Sequence, residues 1–233
     1  MPEVLEIILF SFASGVTVIL GWGLAGFRVL ESGSTFLHSI TAFGAGIITA
    51  AVALVLVPEG IAGLGIPRII VAFVIGVFFF AVLNWFIKSR TGRVALFLVM
   101  LLDFIPEALA LGAVFSASKA TGLLLAIYIG LQNLPESYSA YFEFVGSGFS
   151  RRRTFAVMAP FSLVGVVAAL IGFYFLTGTV ALVAFIMMFS AGGILYLVFQ
   201  EVAPKARIKE NRIPAVVFTL GFLVGVIGHI LFA

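Results

Sequence analysis

At 233 residues, with 63% hydrophobic and only 10% charged side chains, the chain cannot clothe a water-facing surface, since a soluble domain is usually about 25% charged. That composition excludes a soluble enzyme or binding module and marks an integral membrane protein. The net charge of +3 does not point to nucleic acid, because the basic residues sit in short loops between apolar runs, and the absence of Cys excludes disulfides and thiolate metal sites.

A helix needs about 20 apolar residues to cross the hydrocarbon of a bilayer. On that measure the sequence predicts an all-α fold with eight spans: 4–28, 36–58, 67–88, 94–117, 119–143, 154–176, 179–203 and 213–232. They form a single transmembrane domain over 1–233. The first span opens "MPEVLEIILF", with Glu3 and Glu6 and no basic residue, so it reads as a span and not as a signal peptide. His38 opens the second span, which ends with Glu59 beside Pro58. His229 lies alone near the end of the eighth and reads as a packing histidine.

Basic residues alternate from loop to loop. Arg28 closes the first span, and Lys88, Arg90 and Arg93 bracket the loop after the third. Arg151, Arg152 and Arg153 follow the fifth, and Lys205, Arg207, Lys209 and Arg212 follow the seventh. The alternate loops hold or border only Arg68 and Lys119. The rich loops are expected in the cytoplasm, which places both termini outside. The plasma (inner) membrane is the expected location.

Spans two and seven echo one another. "FGAGIITAAVALVLVPEG" and "FSAGGILYLVFQEVAPKA" both open on Phe and small residues and run apolar to an acid near a proline. The topology makes them run in opposite directions, as in the inverted repeats of secondary transporters. Small residues at these places also suit close helix contact, whatever the symmetry.

Two acidic clusters interrupt spans four and five. "DFIPE" sets Asp103 four residues before Glu107, and "QNLPE" sets Gln132 four residues before Glu136. Residues four apart share a helix face, and Asn133 lies on nearly the same face as Glu136. Pro106 and Pro135 lack an N–H and so free the carbonyls of Leu102 and Leu131. Buried carboxylates are costly unless protonated, paired or metal-bound, and no Lys or Arg lies deep in these spans. Asp103, Glu107, Gln132, Asn133 and Glu136 therefore read as an oxygen-rich nest for a divalent ion, or as a kinked helix pair whose acids carry protons. Glu143, seven residues beyond Glu136, reads as a solvated end and not as an exit ligand. Glu201, beside Gln200, reads equally as an acid reaching the nest and as a solvated helix end.

At these residues the sequence resembles the ZIP family of divalent metal transporters. That family has eight helices with both termini outside, and its fourth helix carries His-Asn-x-Pro-Glu-Gly where "DFIPEA" stands here. Its fifth-helix motif resembles "LQNLPES", its second-helix ending resembles "VLVPEG", and its seventh-helix acids resemble "QEVAP". The resemblance implies that Glu107 and Glu136 bridge metal, that Gln132 and Asn133 open the fifth-helix ligand set, and that Asp103 stands at the histidine place. It also implies Glu201 as an acid on the metal path, two inverted three-helix bundles around helices four and five, elevator transport and a homodimer. The chain departs from the pattern at Phe104 for asparagine, Val55 for histidine and Ala108 for glycine, and its sixth span lacks an acid. A single metal position follows, with donors that lean toward a harder cation than Zn.

The expected function is transport of a divalent cation of the Zn, Mn or Fe class, with Cd as a surrogate, as substrate and without an organic cofactor. The alternatives are a non-transporting homologue acting as metal sensor or structural protein, and a proton-coupled exporter of a small organic cation. No enzyme is expected, since two histidines near span ends supply neither a catalytic zinc site nor a Ser-His-acid set.

Overall fold

In the computed structural model the described residues are 3–27, 35–91, 95–209 and 211–232. Among them the chain forms eight helical rods and no strand. The first rod is α1 (Glu3–Gly26). The second joins α2 (Thr35–Ala51) to α3 (Val57–Gly63) through a π-helical turn at Val52–Leu56. The third to fifth are α4 (Ile66–Thr91), α5 (Ala95–Phe115) and α6 (Lys119–Gly146). The sixth is α7 (Arg151–Met158) followed by α8 (Phe161–Leu176). The seventh joins α9 (Val180–Leu197) to α10 (Ala203–Ala206) through a second π turn at Val198–Val202. The last is α11 (Ile213–Phe232).

Among the described residues six rods are long and apolar enough to cross a membrane: 3–26, 35–63, 66–87, 151–176, 180–206 and 213–232. Of the two that carry the acidic clusters, α6 is not among them. In α6 the polar run Gln132, Asn133, Glu136 and Glu143 dilutes the apolarity. Phe78 and Trp85 on α4, and Ile230 and Leu231 on α11, are largely exposed, as suits helices that face acyl chains.

Three sequence expectations shift. The second span does not stop at Pro58, because the widened turn at 52–56 takes up the proline and the helix continues to Gly63. The triple arginine is not a loop: Ser150 caps α7 by accepting from the Arg153 N–H at 3.3 Å, and Arg151, Arg152 and Arg153 form the first helical turn. The seventh rod likewise runs on past Pro204 to Ala206. Arg28 and Arg93, and the side chains of Lys88 and Arg90, lie outside the described residues.

The rods pack in two groups. α1, α5, α6 and α8 contact one another in one group; α2 packs on α11, and α9 on α3 and α4, in the other. The groups meet where α2 and α11 touch α6 and where α5 touches α9. Inside each group glycines bring backbones together. A Cβ on Gly46 would strike the Phe218 carbonyl and one on Gly221 the Phe43 carbonyl; likewise Gly192 faces the Phe73 carbonyl and Gly76 the Phe189 carbonyl. In the other group Gly112 lies on the Ala169 carbonyl and Gly172 on the Leu109 carbonyl. Such contact gains dispersion energy where lipid offers no hydrophobic drive. At the seam between the groups a glycine meets a side chain instead: Gly44 meets the Pro135 ring, where a Cβ would lie 2.8 Å from Cγ, while a Cβ on Gly225 would strike the Ala50 Cβ of α2 at 2.3 Å before it neared the Tyr128 ring at 3.2 Å.

Candidate metal site

α5 and α6 turn back on each other across residues 116–118, and Ser118 caps α6 by accepting from the Thr121 N–H at 3.2 Å. The turn makes the two helices antiparallel neighbours, so "DFIPE" and "QNLPE" come to one depth. Both prolines sit inside continuous helix, so the carbonyls of Leu102 and Leu131 lose their usual donors there.

Asp103, Glu107, Gln132, Asn133 and Glu136 are all buried. Gln132 Nε2 donates to Glu107 Oε2 at 2.6 Å, which ties the two helices at the site. Asn133 Nδ2 donates to the Ser14 carbonyl of α1 at 3.2 Å and so turns its oxygen the other way. Four buried oxygens then have no hydrogen-bond partner: Asp103 Oδ1, Gln132 Oε1, Asn133 Oδ1 and Glu136 Oε2. A buried acceptor left unpaired costs about 1–3 kcal/mol, more for a charged group. Four in one region are a standing demand for a cation or for protons. Asp103, Glu107 and Glu136 lie within Coulombic range of one another. Even so, among the described residues no three His, Cys, Asp or Glu side chains close on one point as a ready metal cluster. A cation here needs the amide oxygens as well as the acids.

Glu136 faces the seam. A hollow of about 10 Å³, little more than one water across, lies against it between Thr41, Gly44, Ser139 and Val202. Thr41 and Ser139 close its polar side through a 2.8 Å hydroxyl pair. Gly44 is needed at this point, since any side chain there would push α2 off the Pro135 kink.

Glu201 is buried in the second π turn, so its reading as a solvated helix end is corrected. Its Oε1 accepts from Asn84 Nδ2 at 2.8 Å. Asn84 is a residue the sequence reading missed; a lone amide in the apolar run "FFFAVLNWF" was the available signal. Glu143 is not simply solvated either, because its carboxylate pairs with Lys205 Nζ at 2.5 Å across the seam. His38 Nδ1 lies 2.6 Å from the Lys205 carbonyl, which joins α2 to the same corner. Phe104 stacks on Phe161, ring centroids 4.4 Å apart and planes 16° apart, and its ring abuts Gly165. The face that would carry a further donor is thus filled by two aromatic rings.

A family profile described as ZIP zinc transporter matches residues 86–232, more than half of the chain and all of α5 and α6. The chain belongs to the ZIP zinc transporter family. The match begins near the end of α4, so the "VLVPEG" likeness of the second rod lies outside it. A search of curated proteins returned no match. ZIP proteins transport metal through membranes, and the apolar rods of this chain accord with that setting. As a ZIP protein it is classed with transporters and not with enzymes.

Proposed function

We propose that this ZIP protein carries a divalent cation across the membrane through a single site between α5 and α6. Asp103, Glu107 and Glu136 supply charge to that site, and Gln132 and Asn133 supply amide oxygens. The observation that carries the reading is the set of four buried oxygens without partners on two facing, proline-broken helices. The Phe104–Phe161 stack supports one ion in place of two. An all-oxygen donor set suits Mn or Fe at least as well as Zn. Glu201 stands further along the same path, held by Asn84.

All eight rods span the bilayer in this reading, with both termini outside in the plasma (inner) membrane. Rods one to three and rods six to eight are the halves of an inverted repeat around α5 and α6. Three matches support that symmetry: π turns at 52–56 and 198–202, Pro58 and Pro204 at the start of the next helix, and the paired glycine contacts Gly46/Gly221 and Gly192/Gly76.

Ion flux tests the function. Vesicles holding the purified full chain are expected to take up Mn, Fe, Zn or Cd above protein-free vesicles, and Glu107→Ala with Glu136→Ala should abolish the gain. Flux equal to protein-free vesicles for every ion, with the protein folded, would favour a non-transporting sensor.

A further inference from the structure

A second cavity lies away from the acids, where α2, α10 and α11 converge. It encloses about 750 Å³, in the range of ligand pockets. Small residues make the hollow: Ala42 and Ala45 from α2, Ala203 and Ala206 from α10, and Ala215 from α11, with Phe218 as a side wall. Ala42, Ala45 and Ala206 are buried, so the floor is apolar and built into the packing. The mouth differs. Arg207 and Arg212 line it and are exposed. Among the described residues neither guanidinium has an acidic partner.

An apolar hollow open beside two arginines takes an amphiphile with a negative head. The setting narrows the class. α2 and α11 belong to rods apolar enough to span a bilayer, and the arginines flank the junction between two such rods, where headgroups lie. Guanidinium groups grip phosphate in paired hydrogen bonds, and basic pockets between spans at that level suit anionic lipids. We propose that this cavity seats an anionic phospholipid, its acyl chain along the alanine floor and its phosphate between Arg207 and Arg212. A zwitterionic lipid carries its own cation next to the phosphate and gains less from the pair. The seat touches only the group of α2, α9, α10 and α11, so it would anchor that group to the surrounding bilayer. The inference requires membrane embedding but not the metal site.

Native mass spectrometry of the full chain, released from nanodiscs of phosphatidylglycerol and phosphatidylcholine with equal acyl chains, tests it. Wild-type protein should retain phosphatidylglycerol over phosphatidylcholine by roughly thirtyfold, as two interfacial arginines imply. The double variant Arg207→Gln/Arg212→Gln should lose the preference. Ala215→Trp, at an exposed position that narrows the cavity, should lower retention of both lipids. A phosphatidylglycerol with a photoreactive acyl chain should label α2 and α11 of the wild-type chain, which needs no variant to fold. Equal retention of the two lipids by wild type, or labelling that avoids α2 and α11, would overturn the proposal. Displacement of phosphatidylglycerol by inorganic phosphate alone would reassign the site to a soluble anion. A lipid-free dimer occupying this face would reassign it to a second copy of the chain.

Discussion

Phe104 shows how one side chain sets the chemistry of its neighbours. Its ring lies on Phe161 and against Gly165, so no donor occupies that side of α5. Phe104→Ala should cost about 3–5 kcal/mol by leaving a cavity where the stack was, read as a large drop in thermal stability. Retention of wild-type stability would mean that the stack does not pack as described. Asp103 gives the complementary test. A borderline ion such as Zn gains from an imidazole ligand, while harder ions gain less. Asp103→His should raise affinity for Zn relative to Mn in titration calorimetry, and an unchanged ratio would remove Asp103 from the ligand set. At this scale the acids were legible because a charge inside an apolar run has few excuses. Asn84 was not, since its partner Glu201 lies 117 residues further on and an amide carries no charge to flag it. Glu143 was misread for a related reason: Lys205 looked like part of a distant loop, and only packing of α10 against the seam brings it to 2.5 Å.

Helices uniformly apolar along their length carry no strong period, and this hid the two π turns. Nothing in "VALVL" or "VFQEV" distinguishes a wide turn from a regular one. The prolines that follow were visible, but a proline signals an end as readily as a continuation, and the reading at Pro58 chose the end. Glycines were more informative. The small residues of "FGAG" and "FSAGG" pointed to close contact, and Gly46 and Gly192 do lie on backbone carbonyls of α11 and α4. Gly112 and Gly172 make the equivalent contact between α5 and α8. Gly112→Val or Gly172→Val should therefore force those helices apart and cost about 1–3 kcal/mol. Gly23→Val, where open space surrounds the position, should be close to neutral by comparison. Thermal denaturation of the three variants in one detergent checks the order, and equal losses would refute the packing argument.

The bounds of whole rods were legible through length. Apolar runs of span length gave the rod boundaries to within a few residues at most ends, because a bilayer imposes a nearly fixed length. The assignment of sides rests on basic residues alone. Reporter fusions at residues 90, 152 and 209 should all read cytoplasmic, and any of them reading outside would invert the proposed orientation. How the rods divide into two groups could not be read beforehand, since it depends on which small residues find which carbonyl across the bundle.

That division has a consequence for which changes the chain can absorb. Where backbone touches backbone, as at Gly112 and Gly221, even one methyl group has no rotamer to escape into, so the position is closed to every other residue. Where the groups face each other, Gly44 meets a proline ring, atoms that a compensating substitution can trim. Sequence drift in descendants of this protein is thus channelled toward such side-chain contacts, in coupled pairs such as 44 with 135. The backbone contacts inside each group tolerate almost none, and new transport properties would arise where refitting is open.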